Sequence, residues 1–240
     1  MITNSTSGTN VHEVASGIYR INTPIQIPGG PDFNFNQYLV ADDDPLLFHT
    51  GPRRMFPLVA EAIGKVLPLE RLRYVAFSHF EADECGSLND FLAAAPAAVP
   101  VSSQVAAMVS VNDIAVRPAL ALADGEVLQT GRRAFKWLDA PHVPHAWENG
   151  FMMELETRTM LSGDLFTMGE SIGGALTERD ILGPSEAFRG PLDYFAHAPD
   201  TGAQLERLAT LAPDTLACMH GSAWRGDGGA LLRALAGRVG

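Results

Sequence analysis

A chain of 240 residues with 46% hydrophobic and 19% charged side chains can bury a sizeable core and is too apolar to be disordered. Its net charge of −11 argues against nucleic acid or an anionic membrane as the main partner. No apolar run approaches a membrane span, the start from Met1 to Asn10 is polar rather than signal-like, and Cys85 and Cys218 stand far apart; a cytoplasmic protein with reduced thiols is expected.

In chain order, Val11 to Ile21 reads as a strand pair turning at Gly17, and Pro24 to Pro31, with Gly29 and Gly30, as a loop. Asn34 to Ala41 is a strand, Asp42 to Pro45 a turn, and Leu46 to His49 its hairpin partner. Met55 to Val66 has the apolar spacing of an amphipathic helix. The apolar run Tyr74 to Phe77 is a buried strand that breaks at Ser78 and leads, through Gly86, into a helix from Leu88 to about Ala94. Val99 to Ser102 is a short strand, and Ser103 opens a short helix reaching Val109. Glu126 to Thr130, Phe135 to Leu138, Phe151 to Glu156 and Thr159 to Leu161 read as strands. Thr167 to Pro184 is Gly-rich and irregular, a candidate flap, before helices over 185–198 and 201–211. Thr215 to Met219 is a last strand, and Gly229 to Val239 a terminal amphipathic helix. Two strand-rich halves, each with helices, suggest an α/β (α+β) arrangement of two packed sheets with helices outside, as one domain over 1–240.

The central strand delivers His79, Glu81, Asp83 and Glu84 at its end, where the backbone is fixed and the side chains can converge. Acids at a helix N-terminus would account for Asp83 and Glu84 through the helix dipole, but not for His79 or the alternation. Unpaired charge against an apolar strand is costly, which points to a metal or a catalytic task. Three further segments repeat the pattern of short strand, ligand-type residue and turn. Asp139 to His145 offers His142 and His145 on a loop stiffened by Pro141 and Pro144; Gly163-Asp164 offers a carboxylate; Cys218 to Gly221 offers His220. Each is weak alone, since a lone histidine is more often surface or core than ligand. Together His79, Glu81, Asp83, His145, Asp164 and His220 suffice for two metals sharing a bridge. His49, at a strand end, is a candidate support, His12 and His197 are expected at the surface, and Cys85 is expected to pack rather than ligate.

The order His-x-Glu-x-Asp, then His, Gly-Asp and His-Gly resembles the metallo-β-lactamase superfamily over most of the chain. That resemblance implies an αββα sandwich with a dinuclear site along one edge. Hydrolases of the superfamily mostly carry a second His where this chain has Glu81, and Glu81 is similar instead to the flavodiiron branch and its oxygen-binding diiron relatives. The segment His145-Ala146-Trp147-Glu148 resembles that branch's His-Trp-Pro-Asp, with one residue inserted. By the family's pattern His79, Glu81 and His145 hold one metal, Asp83 and His220 the other, and Asp164 bridges. A carboxylate in place of an imidazole hardens the site, favouring two iron ions, with manganese and zinc as alternatives.

Two positions depart from the pattern. The family usually has His after the Asp; Glu84 stands there, leaving it to ligate, to accept a proton or to face solvent. His142 competes with His145, which is preferred because Trp147 follows it; His142 is then a pocket group. Phe80, Trp147, Phe166 and Met168 are expected to line a dry pocket. The resemblance implies dioxygen or nitric oxide as ligand. Flavodiiron proteins carry a flavodoxin domain, for which this chain, ending at Gly240, leaves no room; reductive turnover is expected to need an external flavin or iron–sulfur donor. A dinuclear hydrolase of an ester, lactone or thioester, a diiron sensor module, and assembly as a homodimer stay open.

Overall fold

The computed structural model describes residues 1–29 and 32–239; Gly30 and Pro31 of the expected loop lie outside the described residues. Two seven-stranded sheets form its centre. The first comprises β1 (Asn10–Ala15), β2 (Ile18–Ile25), β3 (Phe33–Val40), β4 (Leu46–Phe48), β5 (Tyr74–Ala76), β6 (Val99–Ser103) and β7 (Leu120–Leu122), in that order. Strands β1 to β4 are antiparallel neighbours, and β4 to β7 run parallel. The second comprises β8 (Val127–Gln129), β9 (Ala134–Asp139), β10 (Gly150–Glu154), β11 (Thr159–Leu161), β12 (Leu176–Thr177), β13 (Thr215–Ala217) and β14 (Ala223–Arg225). Its spatial order is β12-β14-β13-β11-β10-β9-β8.

Alternation along the strands builds the layers, because successive side chains of a strand point to opposite faces. On β3, Tyr38 and Val40 face the second sheet, whereas Leu39 faces outward. On β10, Met152 points inward and Phe151 and Met153 outward. Phe48, Phe135, Trp137, Met152 and Leu161 thus fill the space between the sheets. Outside the first sheet pack α1 (Phe56–Ile63) and α3 (Leu88–Ala94), contributing Val59, Ile63, Leu88 and Phe91. Outside the second, α6 (Leu182–Arg189), α7 (Thr201–Ala209) and α8 (Gly228–Val239) contribute Leu205, Leu208, Leu232 and Leu235. The result is the expected αββα sandwich.

Several expected elements change at their edges. The helix expected over 185–198 begins at Leu182 and ends at Arg189, where Gly190 and Pro191 stop it: proline lacks the N–H the next turn needs. The helix opened by Ser103 continues past Val109. Ser103 Oγ accepts from the Ala106 N–H, and α4 (Gln104–Ala106) and α5 (Asn112–Ile114) are joined by a wide helical turn over Ala107–Val111. Three short strands, β7, β12 and β14, are additions to the sequence reading, and β12 lies inside the expected irregular flap. Among the described residues no helix is long and apolar enough to cross a membrane.

Candidate metal centre

The parallel neighbours β4 and β5, and the parallel pair β11 and β13, end at the same rim of the sandwich, and their following residues carry the polar groups. His49 follows β4; Ser78 and His79 follow β5; Ser162, Gly163 and Asp164 follow β11; Cys218, Met219 and His220 follow β13. Gly163 is needed there. Its φ is +49°, and a Cβ on it would stand 3.1 Å from the Ser78 side chain.

Six of the expected residues converge. The Nε2 atoms of His79 and His145 lie 3.0 Å apart. Oδ2 of Asp164 stands 3.6 Å from the first and 3.3 Å from the second, and Glu81 Oε1 stands 3.7 and 3.3 Å from the same two atoms. The other oxygen of Asp164, Oδ1, lies 3.4 Å from His220 Nε2, and Asp83 Oδ2 lies 3.5 Å from it. Asp164 therefore turns one oxygen to each of two donor groups. Separations of this size are those of neighbouring ligands on one ion held by bonds of about 2.0–2.2 Å.

The orientation of each imidazole is set from behind. His145 Nδ1 donates to the Tyr194 carbonyl at 2.9 Å and His220 Nδ1 to the Asn34 carbonyl at 2.8 Å. Carbonyls only accept, so both rings carry their proton on Nδ1 and turn Nε2 inward, as metal-binding histidines do. His79 Nδ1 meets Ser78 Oγ at 2.9 Å, and Ser78 Oγ meets His49 Nε2 at 3.0 Å. Burial drives His49 down to about 3, so it is neutral; Ser78 can then accept from His79 and donate to His49. His49 is fully buried at a φ of +67°, a left-handed conformation uncommon outside glycine, and through Ser78 it stands behind His79.

The loops are pinned as firmly. The Glu148 carboxylate accepts from the Phe80 N–H at 2.9 Å, fixing the backbone between His79 and Glu81. Asn36 Nδ2 donates to the carbonyls of Cys218 and Gly221, Tyr38 Oη to Cys218 and Arg20 Nη2 to Gly221. These inner-face polar groups of the first sheet clamp the turn that carries His220.

Electrostatics mark the same spot. Burial opposes charge on His220, but Asp164 and Asp83 outweigh it and raise the imidazole to about 9. Glu81 is held down at about 2 by hydrogen bonding to His145 and His79. The fully buried Glu84 has no hydrogen-bond partner for either oxygen, nor has Asp164 Oδ1. Buried carboxylates left so are costly, and three inward imidazole nitrogens with four carboxylates fit divalent metal. Three donor groups emerge that could each hold an ion: His79, His145 and Asp164; His79, Glu81 and Glu84; and Asp83, Glu84 and His220.

The model of the ODP family beta lactamase matches residues 33–181, a span holding five of the six converging residues. The chain belongs to that family. Across 203 residues this ODP-family chain is 26% identical to the rubredoxin-oxygen oxidoreductase of Megalodesulfovibrio gigas, covering 80% of the chain and 49% of the relative. It thus spans about half the length of the curated relative it matches. In fold it resembles fragment 1-254 of a putative diflavin flavoprotein A 5 from Nostoc sp. PCC 7120, with a TM-score of 0.82, 19% identity, and coverage of 95% of this chain and 94% of that one. The flavodiiron protein of Giardia intestinalis gives a TM-score of 0.78 at 19% identity, covering 95% of this chain and 59% of that one.

Some expected residues of the ODP-family chain stand elsewhere. His142 is exposed, at a φ of +64°, and belongs to none of the three donor groups; the tight turn that bonds its N–H to the Ala146 carbonyl sends His145 inward instead. Trp147 is 57% exposed and lines a separate cleft of about 80 Å³ with Ser103, Val105 and Pro141. Phe80 is 38% exposed, and Phe166 and Met168 are buried in the layer outside the second sheet. The aromatic wall comes from residues that sequence reasoning missed. Phe33 lies 4.4 Å and Phe35 5.4 Å from the His220 ring, and Tyr194 lies 6.2 Å from His145. The alternation Phe33-x-Phe35 beside Asn34 was the one available signal. Cys85 is buried, its thiol donating to the Glu81 carbonyl at 3.2 Å and pushed up to about 12 by burial, so it packs and does not ligate. His12 and His197 are exposed, as expected. A cleft of about 960 Å³ reaches this region at Phe33 and Asn34.

Proposed function

We propose that this chain is a non-haem diiron protein that binds dioxygen or nitric oxide and reduces it when an external donor supplies electrons. The observation that carries the reading is the pair of donor sets facing the two oxygens of Asp164. His79, His145 and Glu81 make a two-imidazole, one-carboxylate set of the kind that suits ferrous iron with open positions. His79, Glu81, His145 and Asp164 would hold one ion, and Asp83, His220 and Asp164 the other. Iron bound there would supply electrons and open positions for a diatomic ligand.

The protein's own residues set the conditions for that chemistry. The Asn34 and Tyr194 carbonyls keep His220 and His145 in one tautomer and orientation, and Ser78 holds the His79 ring in place. Phe33, Phe35 and Tyr194 give the pocket apolar walls, while Glu81, with half its side chain exposed, stands at its open side. No sulfur competes, since Cys85 points its thiol at a backbone carbonyl. The name of the Megalodesulfovibrio gigas relative pairs oxygen with rubredoxin, which supports an iron–sulfur or flavin protein as donor.

The test is metal analysis of protein from an iron-replete source, followed by oxygen uptake after anaerobic reduction. Two iron ions per chain are expected. Oxygen consumption should stop after one round and resume only when a reductase with flavin is added, because two ferrous ions hold too few electrons to reduce dioxygen to water. Stoichiometric zinc, or fast turnover of a simple ester or lactone, would replace this reading with the hydrolase one.

A second prediction concerns Glu81→His. A neutral ligand lowers the negative charge of the set, so the variant should shift metal preference toward zinc and lose oxygen reactivity. Competition between zinc and ferrous ions, read by metal content, checks it; an unchanged preference would undo the role given to Glu81.

A further inference from the structure

Arg20, on β2, is a buried cation that the donor sets do not account for. It is 2% exposed and stands opposite Tyr38 of β3 in the first sheet. Its Nη2 donates to the Ser171 hydroxyl and to the Gly221 carbonyl, both at 2.6 Å, and its Nε has no hydrogen-bond partner. None of the arginine–carboxylate pairs among the described residues includes it. A guanidinium does not shed its proton in a protein, so a fixed charge is buried here without a counter-ion, at a cost in folding energy. The hydrogen bonds alone do not call for it. Asn36 Nδ2 already donates to the Gly221 carbonyl at 2.9 Å, and Asn34 Oδ1 accepts the Gly221 N–H at 2.9 Å. The segment around Ser171 is held by neutral groups as well. Asn34 Nδ2 donates to the Gly169 carbonyl at 3.0 Å, and Ser222 Oγ accepts the Ile172 N–H at 2.8 Å. What Arg20 alone brings is positive charge.

That charge is delivered next to one donor set. The second set comprises Asp83 of the short helix α2 (Ala82–Cys85), His220 and Oδ1 of Asp164. Gly221, whose carbonyl takes the guanidinium, directly follows His220. Resting on the dinuclear reading above, we infer that Arg20 is a positioning residue of the second ion, whose fixed charge favours the ferrous over the ferric state. A positive charge in the protein interior is screened far less than one in water, and it opposes a trivalent ion more than a divalent one. Groups behind the ligands tune a metal in this way. Arg20 supplies no donor atom, so it sets the oxidation state the ion prefers and not the number of ions held.

Redox titration of the iron-loaded protein, followed by electron paramagnetic resonance, tests the assignment on native chain, Arg20→Gln, Arg20→Lys and Ser171→Ala. All four should load two ions by metal analysis. Arg20→Gln keeps an amide donor and loses the charge, so its reduction potential should fall below native. Arg20→Lys keeps the charge and loses the planar fork, so its potential should stay near native. Ser171→Ala leaves the charge in place and removes one of its partners. Amide exchange over 169–174 should quicken there with no change in potential. A native potential in Arg20→Gln would overturn the proposal. An equal fall in Arg20→Lys, or a fall in Ser171→Ala, would make Arg20 a structural residue and overturn it too. Should Arg20→Gln fail to fold, as circular dichroism would show, the lysine and alanine variants still decide by the same readout. Fewer than two ions in native protein would instead defeat the dinuclear reading before any variant is compared.

Discussion

Asparagine at position 164 should leave a folded chain that retains neither ion. Asp164 faces both donor sets, with Oδ2 at 3.3 Å from His145 and Oδ1 at 3.4 Å from His220. An amide offers a single neutral oxygen, and its NH₂ group would point at an imidazole nitrogen or at a neighbouring carboxylate. The variant therefore removes the one charge that the two sets share and an oxygen donor from at least one of them. Metal content should fall from two ions per chain toward zero after desalting. The thermal stabilisation on adding ferrous ion should vanish with it; a site filled at 100 times its Kd contributes about 2.7 kcal/mol. Circular dichroism of the metal-free variant separates loss of metal from loss of fold. Two ions retained in Asp164→Asn would show that the sets do not share this residue, and the dinuclear assignment would have to be redrawn.

Much of this arrangement is legible in the sequence because it rests on local rules. The unbroken apolar runs Tyr38-Leu39-Val40 and Phe151-Met152-Met153 mark strands buried on both faces, and His79, Asp164 and His220 each stand three residues past a strand end. What was not legible depends on partners distant in the chain. His142 and His145 are three residues apart and chemically alike; the choice is made by the Tyr194 carbonyl, 49 positions away, on a segment that reads as helix until Pro191 ends it. Glu84 looks like any acid in the first turn of a helix until Thr50, 34 residues earlier, fixes its backbone inside the rim. Strands β7 and β14 are three residues long, too short for a periodic signal, and exist because neighbouring strands offer them a ladder. Trp147, expected at the pocket from the family resemblance, turns outward, whereas its successor Glu148 pins the His79 loop.

The largest loss of stability is expected from a single methyl group. Gly150 opens β10 opposite Asp139 of β9, and a Cβ there would overlap Cζ2 of Trp137 and stand 2.7 Å from Cε2 and 3.0 Å from Nε1. Trp137 cannot retreat. It is fully buried between the sheets, and its indole N–H donates to Asp139 at 2.7 Å. Overpacking of this kind costs about 1–3 kcal/mol and sometimes more, and the lost indole hydrogen bond adds about 1 kcal/mol. The damage should reach the rim, because the Gly150 N–H donates to the Ser78 carbonyl at 2.9 Å, next to His79. Gly150→Ala should therefore lower the melting temperature sharply and weaken metal binding together. Trp137→Phe alone should destabilise by leaving a void, yet in combination with Gly150→Ala it makes room for the methyl group. The double variant should then be more stable than the sum of the two losses, a coupling that a double-mutant cycle by chemical denaturation measures directly. Additive losses would mean that the strand yields at Gly150 rather than at the indole, and the link from the core to Ser78 would lose its support.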